Sequence, residues 1–142
     1  MKKLLLLSGI LLFMLSCGGV KKTQQAINTG NYMNAINSAV QKLAENKDKK
    51  SNQSYVLLLE EAFRKNTERE LEHIAFLRKD GNPANLETIY KGYENLNRIQ
   101  EAIKPLLPLR VNDENRNAEF SLTNYDNKII TTKNELSSYL YD

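Results

Sequence analysis

The chain has 142 residues, three prolines, six glycines, no tryptophan and a formal net charge of +3 from 20 basic and 17 acidic side chains. Lys2 and Lys3 supply two of the positive charges, so the rest of the chain sets 18 basic against 17 acidic groups and is close to neutral. Interspersed signs without a basic face argue against a nucleic-acid partner, and plentiful Asn, Lys, Glu and Leu argue for a mostly helical protein with one modest core.

Met1-Lys2-Lys3 precedes a Leu-rich run from Leu4 to Leu15 and then Ser16-Cys17-Gly18-Gly19. Two lysines, an apolar run and a small residue have the three-part layout of a secretory signal peptide. The run is too short to span a membrane, which takes roughly 20 apolar residues. The only cysteine of the chain directly follows the small residue and has no internal disulfide partner. Leu15-Ser16-Cys17 resembles the lipobox of a bacterial lipoprotein precursor, with Met14 standing where that pattern usually has Leu. The resemblance implies removal of residues 1–16 and lipidation of Cys17 as a diacylglyceryl-cysteine with palmitate-type acyl chains. The membrane would then be a partner that the chain sits on without crossing it; two or more chains suffice for stable anchoring at about 0.8 kcal/mol per buried CH₂. It also implies the outer membrane of a Gram-negative envelope, facing the periplasm, because Gly18 stands where inner-membrane retention uses an aspartate and no acidic export cluster follows Cys17.

Residues 17–22 read as a lipidated, flexible tether. From Thr23 the apolar residues Ala26, Ile27, Tyr32, Ala35, Ile36, Ala39, Val40 and Leu43 recur at helical spacing, broken at Thr29-Gly30-Asn31, so Gly30 ends one helix and a second follows as a hairpin. Asn46 to Asn52 is a polar link, with Ser51 or Asn52 expected to cap the next helix. In that helix Tyr55, Leu58, Leu59, Ala62, Phe63, Leu71, Ile74 and Leu77 form the apolar stripe, and Glu60-Arg64, Glu61-Lys65 and Arg64-Glu68 pairs lie along the outer face.

Lys79-Asp80-Gly81-Asn82-Pro83 is the clearest break, with Gly to stop one helix and Pro to start another. The next stripe is Leu86, Ile89, Tyr90, Tyr93, Leu96, Ile99, Ile103 and Leu106, with a turn expected at Asn95 to Asn97 and an end at Pro105 and Pro108. Residues 110–123 read as a polar connector, extended or irregular over Glu119 to Leu122. A further helix occupies 124–142, with Ile129, Ile130, Leu136, Tyr139 and Leu140 as its apolar positions; lacking a stop signal, it reads as cut inside an amphipathic helix.

Gly30-Asn31-Tyr32-Met33-Asn34-Ala35 resembles the Gly-x-Tyr-x-x-Ala centre of a tetratricopeptide repeat, in which glycine turns the chain, the aromatic wedges between helices and alanine allows close approach. Tyr55, Leu58, Ala62, Leu71 and Pro83 fall at the offsets of a second unit, and Leu86, Ile89, Tyr93, Asn97, Ile99 and Ala102 at those of a third. Leu59, Tyr90 and Asn66 depart from the pattern, so residues 54–80 also read as one long helix. The expected fold is all-α, built of antiparallel helical hairpins over residues 23–109, as a tetratricopeptide-like solenoid or a small helical bundle.

No catalytic constellation stands out. His73 is the only histidine, and Glu70-x-x-His73 supplies too few ligands for a metal. There is no Gly-rich phosphate loop and no Gly-x-Ser-x-Gly elbow. A non-catalytic chain without metal or cofactor is therefore expected. Tyr90 and Tyr93 are candidate partner contacts, with core packing as the competing role. The resemblances imply a lipid-anchored envelope protein that binds another envelope protein as an assembly scaffold; the alternative is a lipoprotein capturing a glycan or peptide for an outer-membrane transporter.

Overall fold

The computed structural model describes residues 18–141, and within them the protein is all-α except for one two-stranded ribbon. Helix α1 covers 18–28, α2 Tyr32–Glu45, α3 Gln53–Asp80, α4 Leu86–Ile103 and α5 Asp126–Tyr141. Strands β1 (Arg110–Val111) and β2 (Arg116–Asn117) pair antiparallel, with Arg110 opposite Asn117 and Val111 opposite Arg116. The chain forms two compact units. One holds the residues up to Phe63 together with Pro108–Glu119, the other Arg64–Leu107 and Phe120 onward.

In the first unit α1 ends in a Schellman motif. Gly30 takes φ 75°, its N–H bonds to Ile27 O at 3.0 Å, and Asn31 N–H bonds to Ala26 O at 2.8 Å, which closes two orphan carbonyls. Asn31 then caps α2 by accepting from Asn34 N–H at 3.4 Å. Ile27, Ala35, Ile36, Ala39, Leu43, Tyr55, Val56, Leu59 and Ala62 are buried. The expected tether over 17–22 is not a loose segment where it is described: residues 18–22 are helical. Thr23 Oγ1 donates to Gly19 O at 3.0 Å, and Gly19 lies so close to Tyr55 that a Cβ there would meet the Tyr55 hydroxyl oxygen.

Asn52 does not cap α3 as expected. It is buried, and its Nδ2 donates to Lys42 O at 3.0 Å and Asn46 O at 2.9 Å, closing the end of α2 instead. Asn46 Oδ1 in turn accepts from Asp48 and Lys49 N–H at 3.0 and 3.1 Å. The connector contributes structure as well: Leu109 and Val111 are buried, and Asn115 takes the left-handed conformation (φ 50°) that lets the ribbon turn. Glu60 does not pair with Arg64. Arg116 reaches both of its oxygens, at 2.7 and 2.9 Å, and Glu119 N–H donates to it at 2.6 Å. Arg64 pairs with Glu68 as expected.

In the second unit the end of α3 and α4 form an antiparallel hairpin. Gly81 (φ 68°) stops α3, Asn82 accepts from Ala84 N–H at 3.0 Å, and Pro83 opens the short turn that leads into α4. Helix α3 runs unbroken through Asn66, so the second tetratricopeptide-like turn is not formed. Helix α4 likewise runs through Asn95–Asn97 without the expected turn and stops at Ile103, where Lys104–Leu106 tightens into a 3₁₀ turn. Ile74, Ile89, Tyr93, Leu96 and Tyr125 form a core cluster, with Leu77 and Ile129 packed against it. Gly92 is buried where α3 and α4 meet: a Cβ there would stand 2.8 Å from Glu70 Oε1 and 3.0 Å from Ile74 Cδ1. Helix α5 packs along α4. Gln100 clasps the backbone of Thr123, donating to its O at 2.8 Å and accepting from its N–H at 2.6 Å. Arg78 donates to Thr132 Oγ1 at 2.6 Å and to Glu135 Oε2 at 2.5 Å. Leu71, expected in the stripe, is exposed, whereas Val56, absent from it, is buried.

Candidate functional site

Cys17, the expected lipidation site, lies outside the described residues, as does the segment before it. Of the two candidate contact residues, Tyr93 is taken up by the core, its ring 6.0 Å from that of Tyr125 and tilted by 35°. Tyr90 is half-buried, and its hydroxyl donates to Glu94 Oε1 at 2.5 Å, which pushes its pKa above the usual phenolic value. Neither ring stands free, so the tyrosine stripe of α4 is packing first. His73 is exposed on α3, while Glu70 is half-buried beside Gly92. Among the described residues no group of three or more His, Cys, Asp or Glu could hold a metal, and no helix is long and apolar enough to cross a membrane.

The exposed apolar side chains gather on the second unit, chiefly on α5. Thr132, fully buried, and half-buried Ile129 and Leu136 face its core. Tyr139 and Leu140 fall at the next positions of that face, three and four residues beyond Leu136, yet are 50% and 65% exposed, with no element among the described residues covering the last turn. Tyr141 and Ile130 are exposed at 87% and 57%. One turn before Tyr139, Glu135 borders a shallow cleft of about 170 Å³ that Leu77, Pro83, Leu86 and Ile89 line from the α3–α4 hairpin. An apolar cleft beside an uncovered aromatic turn gives this end of the unit the character of a contact surface. The sequence carries this signal in Tyr139 and Tyr141, which with Tyr90, Tyr93 and Tyr125 are its tyrosines able to serve as contact anchors.

Two further clefts are polar. One of about 170 Å³ lies in the second unit among Asn97, Glu101, Lys104, Leu122, Thr123, Asn124 and Asp126. The other, of about 390 Å³, lies in the first unit, where Lys47, Asp48 and Gln53 face Pro108, Leu109, Arg110, Asn112 and Asn117. None of the three clefts has an aromatic residue in its lining. Comparison with protein-family models, with curated proteins and with solved structures found no match.

Proposed function

We propose that this chain is a lipid-anchored cell-envelope protein, held through Cys17 at the periplasmic face of an outer membrane, that acts as a non-catalytic scaffold by docking another envelope protein on the outer end of α5. The observation that carries this reading is the uncovered turn Tyr139-Leu140-Tyr141 beside the apolar cleft of the α3–α4 hairpin. Exposed tyrosines with flanking leucine supply large, rigid contact area of the kind that dominates protein interfaces. Anchoring is supported by the lipobox-like Leu15-Ser16-Cys17. Glycan capture would call for an aromatic-lined cleft, and the three clefts have none.

The test is photo-crosslinking in cells that express the full chain, with a benzophenone amino acid at Tyr139 or Tyr141 and, as a control, at exposed Lys128. Membrane fractionation and mass spectrometry of the same chain are run beside Cys17→Ala. The reading expects loss of sixteen residues, added lipid mass, outer-membrane retention that Cys17→Ala abolishes, and a discrete adduct from the α5 end only. Adducts equal at Lys128, or none, reject the docking surface. An unlipidated wild type rejects the anchor.

A further inference from the structure

We propose that the cleft between the α2–α3 link and the β-ribbon is a binding site for an extended peptide segment bearing a carboxylate. The site goes beyond the scaffold reading and depends on neither α5 nor the anchor. Its volume, about 390 Å³, falls in the range of ligand pockets and exceeds that of the other two clefts more than twofold. One turn of α-helix, about 10–12 Å across and 5.4 Å high, displaces more than that. The cleft therefore suits an extended chain.

The lining fits a peptide backbone. Asn112 and Asn117 carry amides that both donate and accept, matching the alternating N–H and C=O groups of a strand. Gln53 spends its Nε2 on Lys47 O at 3.0 Å and its Oε1 is enclosed, so the exposed Asn112 and Asn117 are the amides that face a ligand. A sugar would want an aromatic face, and the lining has no aromatic residue.

Charge selects the side chain. Lys47 and Arg110 outweigh Asp48 in the lining. Lys47 Nζ donates across the cleft to Pro108 O at 3.2 Å, which places its charge between the two walls. Arg110 is exposed and makes one side-chain bond, to Asn115 Oδ1. A guanidinium carries five donors in a planar fork, so the rest are available to a carboxylate.

The test is an NMR titration of the ¹⁵N-labelled full chain in detergent micelles with three probes: Ac-Ala-Glu-Ala-NH₂, Ac-Ala-Lys-Ala-NH₂ and N-acetylglucosamine. Saturable shifts at Arg110, Asn112, Asn117 and Gln53 are expected with the glutamate peptide. Affinity should fall about tenfold for the lysine peptide and for Arg110→Gln, since each removes a charge-assisted hydrogen bond. Asn112→Ala, at an exposed position, tests the amide wall in the same way and guards against a folding defect in the first variant. Absence of saturable shifts, equal response to both peptides, full affinity in both variants, or response to the sugar alone would each overturn the site.

Discussion

The two units handle their apolar side chains in opposite ways. Leu57 is the one exposed large hydrophobic residue described in the first unit, whereas Leu71, Phe76, Leu122, Ile130, Tyr139, Leu140 and Tyr141 are exposed in the second. The first unit turns a polar cleft outward and ties its segments with an ion pair and asparagine side chains; the second carries an exposed aromatic turn at residues 139–141. A single small protein thus offers two chemically distinct surfaces, one polar and one apolar, and composition averaged over the chain conceals both.

The contrast can be broken most forcefully at Gly92. Gly92→Leu drives a branched side chain into Glu70 and Ile74 and should destabilise the second unit by about 2–3 kcal/mol, read as a lower denaturant midpoint. Gln100→Ala comes next: it leaves the backbone of Thr123 without either clasp, costing about 2 kcal/mol and raising amide exchange at Thr123 before exchange rises in α1 or α2.

In the first unit, Glu60→Gln removes the charge that Arg116 holds. The Arg116 bond, helped by Glu119 N–H and opposed by burial, sets the Glu60 carboxyl below the usual range. A folded pKa below the unfolded value of about 4.3 means that the stabilisation is complete above that value and fades as pH falls through the folded one. Glu60 is 19% and Arg116 37% exposed, so solvent screening holds the expected loss to about 1 kcal/mol at neutral pH. Wild type and variant should converge in acid, and a pH-independent difference would assign the effect to packing. Gly30→Ala, at φ 75°, should cost about 1 kcal/mol. Smallest of all, Tyr139→Ser should leave stability within about 0.5 kcal/mol while weakening the adduct formed from the benzophenone at position 141; a large loss of stability would make α5 a core element rather than a surface.

What could be read beforehand was whatever local chemistry decides. Gly30, Gly81 and Pro83 punctuate the helices where expected, and the stripes of α2 and α4 are buried nearly as written. The misreadings share a cause: tertiary partners overruled local preference. Asn52 looked like a cap for the helix that follows it and closes the one before. Asn66 looked like the place for a turn and lies buried in an unbroken helix. Leu71 kept its helical spacing, but the packed face of α3 passes through Glu70 and Ile74 beside Gly92 and leaves it outside. The polar cleft was unreadable because its walls come from Lys47–Gln53 and Pro108–Asn117, segments that only folding brings together.

That separation in sequence has a kinetic side. The bonds of Asn52 to Lys42 and Asn46 span 10 and 6 residues, so they form without closing a long loop. The bond from Arg116 to Glu60 spans 56, and loop closure makes such contacts slow. Glu60→Gln should accordingly hasten unfolding and leave the refolding rate almost untouched, a φ-value near zero, whereas Asn52→Ala should slow refolding. During synthesis the first unit must wait for Pro108–Glu119 to emerge. Its N-terminal helices are made first but gain their final support only after most of the second unit has already been threaded out.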